Sequence, residues 1–353
     1  MKVLLYTEGI EQIGKSGLGK AIKHQMKALK YAGVEYTLDP DDDYDIVHIN
    51  TYGPKSYALA KACKKNGKKI VYHAHSTEED FRNSFILSNQ IAPMFKKWIT
   101  TCYKLGDHIV TPTPYSKRIL DGYGMDREIT AISNGIEIEK FVTSKELAAN
   151  FRKTYGYKKK DKVVIGIGLY LERKGILDFV ELAKRLPQYK FIWFGYTPLY
   201  TVPEKIRKAV KTELPNLHFA GYVEQEMIIS AMNGADLYIF PTLEETEGIP
   251  IMEACACKCK ALIRDIPVFD GWLEDGVNVY KAKDVDDFEK KIKKILNDEL
   301  PDVTEAGYKV AQSRDLKVIG EKLKEVYEKV LYTSSTNTKK KNTIKKKSKL
   351  QTN

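Results

Sequence analysis

The sequence predicts an α/β protein with two domains, each built around a parallel β-sheet. Short apolar runs alternate with longer segments of mixed polar and apolar character, which is the rhythm of βα units and of parallel sheets covered by helices. The rhythm stops in a charged stretch, 143–162, and restarts at Val163. The 353 residues also suffice for two separate hydrophobic cores.

The apolar runs predict where the strands lie. In the first half they fall at 3–6, 45–49, 69–73 and 108–111, and in the second half at 163–168, 190–194, 218–220, 237–240 and 261–263. Helices are expected at 21–32, 93–105 and 316–331. This pattern predicts one domain at 1–148, a second at 149–315, a crossing helix at 316–332 and a lysine-rich tail at 333–353. Ligands of such sheets bind at the carboxyl ends of strands, so we expect a site in a cleft between the two halves.

Composition excludes several classes of protein. The hydrophobic fraction of 43% is ordinary for a globular protein. No apolar run approaches the ~20 residues of a membrane span, and the first strand is too short for a signal peptide. An odd number of cysteines, five, argues against a disulfide framework, so we expect a reducing, cytoplasmic location.

The net charge of +11 is concentrated at the carboxyl end. The tail carries seven lysines between 339 and 349 and no acid, so 11 − 7 leaves +4 for the rest. With few apolar residues, the tail is expected to be disordered. A polylysine tail can bind anionic lipid or nucleic acid, or it can simply be solvated. We expect an anionic membrane surface and no nucleic acid as partner.

Residues 245–253 read ETEGIPIME and carry the most specific signal. The apolar run before them predicts a buried strand that ends at Pro241, and a helix is expected to begin near Ile249. Glu245 then lies in the strand-to-helix loop and Glu253 one turn into the helix. The helix N-terminus at Gly248 and Ile249 suits a phosphate, and carboxylates beside it suit sugar hydroxyls. The pattern favours a nucleotide-sugar, whereas two surface glutamates capping a helix are the plain alternative.

The spacing of Glu245 and Glu253 resembles the E-x7-E signature of retaining glycosyltransferases of family 4, which have the GT-B fold of two Rossmann-like domains. The amino-acid sequence around this signature is similar to that of the family branch that glycosylates diacylglycerol. The resemblance extends over about residues 1–332. It implies transfer of a hexose from UDP-glucose or UDP-galactose to α-glucosyl-diacylglycerol through an α-1,2 linkage, as in the synthesis of lipoteichoic acid anchors. It also implies a UDP-sugar co-substrate, no cofactor, no metal, and a place on the inner face of the cell membrane.

The resemblance assigns the donor site in the second half of the chain. Lys174 and Gly175 match the motif that clamps the diphosphate, while Leu169 occupies the usual arginine position. Arg173 is either a substitute for that arginine or a surface residue. The backbone near Val223 is expected to meet the uracil, Glu245 the donor sugar and Glu253 the ribose.

In the first half, His75 and Asp80 match a family motif whose histidine contacts the transferred sugar, whereas His73 has packing as its plain alternative. Gly17 lies in a glycine-rich first loop that the family places close to donor and acceptor. A competing pattern overlaps that loop. Residues 9–16, GIEQIGKS, fit the P-loop of nucleotide hydrolases, although Glu11 would place a carboxylate among the phosphates.

Two helices are candidates for contact with the acceptor and the membrane. Lys20, Lys23 and Lys27 share one face of the first long helix, which is either solvated or docked on anionic headgroups. Phe95, Lys96, Lys97 and Trp98 lie in a second amphipathic helix that fits either a membrane surface or a core. Cys255, Cys257 and Cys259 do not share a helix face and are read as core residues rather than a metal site.

Overall fold

In the computed structural model the chain forms two compact units. Unit 1 consists of Met1–His75, Lys97–Asn134 and Leu316–Asn353, and unit 2 consists of Ser76–Lys96 and Gly135–Asp315. The structure describes residues 1–353 except 14–16 and 350–353, and it describes side chains outside 12–16 and 333–353. The Gly-Lys-Ser end of the P-loop pattern therefore lies outside the described residues.

The strands and helices alternate throughout the chain. The strands are β1 (Lys2–Tyr6), β2 (Glu35–Thr37), β3 (Ile46–Ile49), β4 (Lys69–His73), β5 (His108–Thr111), β6 (Ile129–Ala131), β7 (Val163–Ile167), β8 (Lys190–Phe194), β9 (Leu217–Gly221), β10 (Leu237–Phe240), β11 (Ala261–Arg264) and β12 (Tyr280–Ala282). The helices are α1 (Ile10–Ile13), α2 (Gly17–Tyr31), α3 (Pro54–Lys65), α4 (Glu78–Phe81), α5 (Ser88–Tyr103), α6 (Pro114–Gly122), α7 (Lys145–Thr154), α8 (Ile176–Arg185), α9 (Glu204–Val210), α10 (Gln225–Gly234), α11 (Ile249–Ala256), α12 (Val285–Leu296), α13 (Thr304–Gln312) and α14 (Leu316–Lys349).

Each unit contains one six-stranded sheet whose described pairings are parallel. The strand order is β2-β1-β3-β4-β5-β6 in unit 1 and β12-β11-β10-β7-β8-β9 in unit 2. The α/β class and all the predicted strands are confirmed. Prediction missed β2, β6 and β12, which have three residues each and lie at sheet edges. Such strands need no long apolar run, because only one of their sides is paired.

The core of unit 1 depends on the last helix. Apolar side chains of α14, from Leu316 to Val330, pack in one cluster with residues of β1 and α2 such as Val3 and Ala28. Gly320 allows the two helices to approach closely, since a Cβ there would lie 2.1 Å from the carbonyl oxygen of Ala28. The helix extends beyond the predicted end at 332, and the disorder of the tail stays a prediction.

The core of unit 2 lies on both faces of its sheet. A cluster that includes Phe179, Phe191 and Trp193 covers one face. Cys255, Cys257 and Cys259 are all buried, as expected for core residues, and burial raises the pKa of the Cys255 thiol to about 12. In the described part of the chain, His, Cys, Asp and Glu side chains form no group of three or more that could hold a metal ion. None of the described helices is both long and apolar enough to span a bilayer.

Candidate active site

Strand β10, one of the two central strands of unit 2, places Glu245 at the carboxyl edge of the sheet. Strand β10 pairs with β7 on one side and β11 on the other, so its position is fixed by both neighbours. The chain then leaves the sheet at Pro241, and the Glu245 side chain turns inward, with only 6% of its surface exposed. A carboxylate at this depth requires charged or hydrogen-bonding partners.

Lys174 is the principal partner of Glu245. It ends a short 3₁₀ turn, Glu172–Lys174, and its Nζ bonds Glu245 Oε1. Thr242 Oγ1 lies 3.1 Å from the same carboxylate oxygen. Burial lowers the pKa of the Lys174 ammonium, and the Glu245 carboxylate opposes that shift. The pair is therefore a largely desolvated ion pair whose geometry is set by two loops.

Arg173 connects the pair to a segment from the first half of the chain. Its Nη1 lies 3.1 Å from Asp80 Oδ1 and 4.0 Å from Glu245 Oε2, and its Nε donates to Ser84 Oγ over 3.0 Å. Burial raises the pKa of the Asp80 carboxyl, and the Arg173 guanidinium opposes that effect. The Arg173 side chain is only 14% exposed. It is thus not a surface residue, and with Lys174 it forms a pair of half-buried cations facing two carboxylates.

Backbone contacts hold the two loops together. The carbonyl of Arg173 accepts hydrogen bonds from Leu243 N at 2.6 Å and Thr242 Oγ1 at 2.9 Å. Gly175 has a left-handed backbone, φ 75°, and a Cβ there would lie 2.1 Å from the Pro241 carbonyl oxygen. Only glycine permits both the conformation and the contact. Gly175 therefore acts through the backbone, by letting Lys174 approach the end of β10.

The predicted helix follows the loop. Helix α11 begins at Ile249, and Gly248 precedes it with φ 90°. Glu253, in the second turn, is 2% exposed, and Gln225 Nε2 of α10 donates to its Oε1 over 3.3 Å. The predicted arrangement is confirmed: one carboxylate is in the loop, the other is in the helix, and the free N–H groups of the helix start lie between them in sequence. Both glutamates are buried, unlike surface caps.

Several residues of this region carry no strong sequence signal. Ser84 and Gln225 come from other segments, and nothing in their local sequence marks them. Thr242 could have been found, because it directly follows the strand end.

Glu247, in the same loop, is also buried. Burial lowers the pKa of the Arg314 guanidinium, and the Glu247 carboxylate opposes that shift. The Arg314 guanidinium lies 4.3 Å from the ring of Trp272. Val223 lies in the turn between β9 and α10, as expected, and is half-buried.

His75 lies in unit 1, just after β4. Its Nε2 is 3.1 Å from Asn50 Oδ1, and its ring stacks on His73 with centroids 3.8 Å apart. The two rings share a face although β4 ends at His73. Burial lowers the pKa of His75, so its ring is neutral at pH 7. Gly17 is the first residue of α2.

The candidate membrane residues differ in exposure. Lys23 and Lys97 are exposed, whereas Lys20 and Lys27 are half-buried. Phe95 stacks on Phe81 with ring centroids 4.1 Å apart, Lys96 Nζ lies 3.3 Å from Glu78 Oε2, and Trp98 Nε1 donates to the Tyr52 carbonyl over 2.7 Å. A run of exposed apolar side chains lies just before these residues, in the stretch from Phe85 to Met94: Phe85, Ile86, Leu87, Ile91 and Met94.

Sequence comparison gives two family matches that together include most of the chain. Residues 148–312 match the family described as "Glycosyl transferases group 1", and residues 21–140 match "Glycosyltransferase Family 4".

Two curated relatives align with this chain over most of their own lengths. The chain is 41% identical over 334 residues to the processive diacylglycerol alpha-glucosyltransferase of Acholeplasma laidlawii, with 94% of this chain and 99% of the relative aligned. It is 26% identical over 272 residues to the alpha-galactosylglucosyldiacylglycerol synthase of Streptococcus pneumoniae, with 75% and 72% aligned.

Solved structures share the fold. Anabaena HepE in complex with UDP and glucose matches with a TM-score of 0.73 at 16% identity, over 93% of this chain and 99% of that chain. Sucrose-phosphate synthase from Thermosynechococcus elongatus matches with a TM-score of 0.77 at 14% identity, over 94% and 100%. At these identities the likeness is one of fold.

Proposed function

Because this chain is a hexosyltransferase that belongs to glycosyltransferase family 4, with the two-domain GT-B fold and in the branch of the diacylglycerol glycolipid enzymes, we propose that it moves a hexose with retention from UDP-glucose or UDP-galactose to α-glucosyl-diacylglycerol. The product is a diglycosyl-diacylglycerol. The contact between Lys174 and Glu245, with Arg173 beside it, is the observation that carries the donor assignment.

The charge balance of that cluster supports binding of a diphosphate. Two cations, Arg173 and Lys174, face two carboxylates, Asp80 and Glu245, so the charges of the cluster balance one another. A diphosphate brings negative charge that competes for Lys174 and Arg173. Glu245 then becomes available as an acceptor for hydroxyls of the donor sugar. Glu253, one helical turn further, is assigned to the ribose.

The same residues stabilise the departing group during transfer. The bond between sugar C1 and the diphosphate oxygen breaks with its electron pair on the oxygen, where Lys174, Arg173 and the N–H groups at the start of α11 stabilise the charge. The acceptor hydroxyl attacks C1 on the face that the diphosphate leaves, and its proton passes to the departing phosphate oxygen. His75 positions the sugar. Fixed positive groups supply the stabilisation, so transfer proceeds with a chelator present.

The acceptor is a lipid, and the exposed apolar stretch from Phe85 to Met94 provides a way to reach it. Leu87 is 62% exposed and Met94 75% exposed, and exposed Lys97 lies three residues after Met94. Apolar side chains flanked by lysines insert at the boundary between headgroups and acyl chains of anionic membranes. The protein is thus assigned to the inner face of the cell membrane, as a peripheral enzyme.

Transfer by the purified protein tests the proposal. Radiolabelled UDP-glucose and UDP-galactose are each supplied with diacylglycerol or with α-glucosyl-diacylglycerol, in mixed micelles containing anionic lipid and a chelator. We expect labelled diglycosyl lipid from one donor, with retention established by NMR of the product. Failure of every pairing by folded protein contradicts the glycolipid assignment.

Two variants connect the activity to the site. Glu245→Gln removes the charge that pairs with Lys174, and we expect it to nearly abolish transfer. Asp236→Asn is the matched control. Asp236 forms an ion pair with Arg152 at 2.7 Å just before β10, at the end of the strand opposite Glu245. It should lower stability and leave kcat unchanged. Full activity of folded Glu245→Gln would refute the donor assignment.

One relative favours a second acceptor pattern. The Acholeplasma protein, 41% identical, is a processive diacylglycerol alpha-glucosyltransferase. If this chain acts in the same way, UDP-glucose and diacylglycerol alone yield first the mono- and then the diglycosyl lipid. The P-loop alternative predicts magnesium-dependent nucleotide hydrolysis that Lys15→Ala abolishes and a chelator blocks.

A further inference from the structure

A chain of buried amide and imidazole groups leads to His75 through unit 1. Asn50 follows β3 and His75 follows β4, so parallel pairing of these strands brings them to the same edge of the sheet. Asn50 is 1% exposed. Its Oδ1 lies 3.1 Å from His75 Nε2, and its Nδ2 donates to Gln25 Oε1 of α2 over 2.9 Å.

The chain continues from Gln25 to the last helix. Gln25 Nε2 lies 3.0 Å and 3.1 Å from the two ring nitrogens of His48, which is fully buried. His48 Nδ1 is 2.6 Å from the Tyr327 hydroxyl of α14, and His48 Nε2 is 3.2 Å from His73 Nδ1. The network therefore joins α2, β3, β4 and α14, and it ends at the ring of His75.

The direction of these hydrogen bonds decides which nitrogen of His75 carries the proton. Asn50 Nδ2 is used as a donor to Gln25, so the amide presents its carbonyl oxygen to His75. A carbonyl oxygen only accepts, hence His75 Nε2 must donate. Burial favours a ring with a single proton. The remaining nitrogen, Nδ1, is then a hydrogen-bond acceptor.

We infer that Asn50 and Gln25 are positioning residues that hold His75 as the neutral Nε2–H tautomer, so that its Nδ1 accepts a hydrogen bond from a hydroxyl of the transferred sugar. The inference rests on the proposed function, which places His75 at the sugar. It assigns the ring no acid or base step. It also explains why an amide, and not a carboxylate, lies behind the histidine: a carboxylate would favour the imidazolium, which has no acceptor nitrogen.

A spectroscopic experiment tests the tautomer without any activity. In protein labelled with ¹⁵N-histidine, the pattern of long-range ¹H–¹⁵N couplings distinguishes the Nε2–H, Nδ1–H and imidazolium forms, and His75→Gln identifies the signals of His75. We expect a single Nε2–H form at pH 7. In Asn50→Leu, which keeps the side-chain size and removes the amide, both neutral tautomers should appear. A wild-type ring in the Nδ1–H form or as an imidazolium overturns the inference.

Kinetics test the positioning role. We expect Asn50→Leu to lower kcat by about 10- to 100-fold, the range found when hydrogen-bond partners that orient metal-binding histidines are removed, with a smaller change in KM for the UDP-sugar. Gln25→Met breaks the same chain one residue further away and should act in the same direction, which provides a second variant if Asn50→Leu does not fold. Unchanged kcat in both folded variants overturns the inference.

The matched control removes a similar contact elsewhere in unit 1. His108 Nε2 lies 2.8 Å from Thr130 Oγ1 in the neighbouring strands β5 and β6. Thr130→Val keeps the shape and removes that hydrogen bond, so it should change neither the signals of His75 nor kcat. If wild-type protein transfers no sugar at all, the proposed function fails while the tautomer is still decided by NMR. If it transfers sugar and the tautomer is wrong, only this inference fails.

Discussion

Lys174 and Glu245 illustrate how strongly burial couples two residues. Burial disfavours each charge by itself, and burial lowers the pKa of Lys174. Their ion pair compensates much of that penalty, so removal of one partner leaves a charge uncompensated. Substitutions at this site must therefore be judged by ligand binding and by folding together, since a loss of activity alone has two explanations.

We expect Lys174→Met to weaken UDP binding by at least about 10-fold, because a charged hydrogen bond to a phosphate contributes about 1.5–3 kcal/mol. Isothermal titration calorimetry with UDP measures the change. The control is Lys205→Met. Lys205 pairs with Glu172 of the same 3₁₀ turn at 2.5 Å, but its side chain is exposed. Equal losses in both variants would contradict a specific role for Lys174.

Arg173→Lys tests whether the shape of the guanidinium matters in addition to its charge. Arg173 contacts Asp80, Ser84 and Glu245 from different nitrogens or directions, which a single ammonium cannot reproduce. We expect donor kcat/KM to fall about 10-fold, which corresponds to about 1.4 kcal/mol. Arg173→Leu should fall further. The same substitution at exposed Arg118 serves as reference, and a fully active Arg173→Lys would show that charge alone suffices.

At the scale of elements, helix α14 packs so closely on α2 that only glycine fits at position 320. A Cβ at Gly320 would lie 2.1 Å from the Ala28 carbonyl oxygen and 3.1 Å from the Ala32 Cβ. Because the nearest atom belongs to the backbone of Ala28, the helices must separate to admit a methyl group. The core of unit 1, which α14 helps to form, would then be disturbed.

Gly320→Ala is accordingly expected to lower the free energy of unfolding by about 1–3 kcal/mol, as overpacking does, despite the better helix propensity of alanine. Gly122→Ala is the control, since Gly122 ends helix α6 and has open space around its Cβ position. That change should be neutral or stabilising by up to about 1 kcal/mol. Urea denaturation measures both. A stabilised Gly320→Ala would show that α14 does not pack as described.

The buried histidines of β3 and β4 predict a dependence of stability on pH. Burial lowers the pKa of His48 from 6.5 to about 3. As the pH falls from 6.5 towards 3, the unfolded chain takes up a proton that the folded chain does not, so the free energy of unfolding falls. Each such histidine contributes a slope of about 1.4 kcal/mol per pH unit in this window. Above pH 6.5 the ring is neutral in both states, so it contributes nothing to the slope of the free energy of unfolding.

His48→Gln removes this titratable group, so the unfolded chain no longer takes up a proton at position 48. Between pH 6 and pH 4 its free energy of unfolding should fall less steeply than that of the wild type, by about 1.4 kcal/mol per pH unit. Urea denaturation at pH 7, 6, 5 and 4 gives the two slopes. Carboxylates contribute equally to both proteins and cancel in the difference. Parallel curves would mean that the pKa of His48 is not lowered in the folded protein.

At the scale of the whole molecule, charge and exposed apolar surface act separately in membrane binding. The chain carries +11, of which seven charges are lysines after residue 338. Attraction of lysines to anionic lipid is screened by salt, whereas insertion of apolar side chains is not. The proposed membrane association can therefore be divided into two parts that respond to different changes.

Truncation after Tyr332 should weaken binding to anionic vesicles at low salt and make little difference at high salt. The double variant Leu87→Ser/Met94→Ser should weaken binding at both salt concentrations, because those exposed side chains supply the apolar part. Co-sedimentation with vesicles of phosphatidylglycerol and phosphatidylcholine measures each effect. Tyr200→Ser, another strongly exposed apolar position, is the control. Equal loss in that control would remove the assignment of the 85–94 stretch.

Prediction from sequence succeeded where a local pattern reports burial. The runs 69–73, 108–111, 190–194 and 237–240 coincide with strands, because a strand buried on both faces needs a continuous apolar segment. The placement of Glu245 in a loop and Glu253 in a helix was predicted for the same reason, from the strand before them and the Gly-Ile-Pro start of α11. The three-residue edge strands β2, β6 and β12 and the true extent of α14 carry no such pattern.

The sequence by itself determined the α/β class, the central strands, the family and the spacing of the two glutamates. Only the tertiary structure decided that Arg173 bonds Ser84, 89 positions away, and that His48 bonds Tyr327, 279 positions away. The physical reason is range. Burial and helix or strand periodicity are properties of neighbouring residues, whereas a hydrogen bond between distant segments depends on strand order and on which helix packs where.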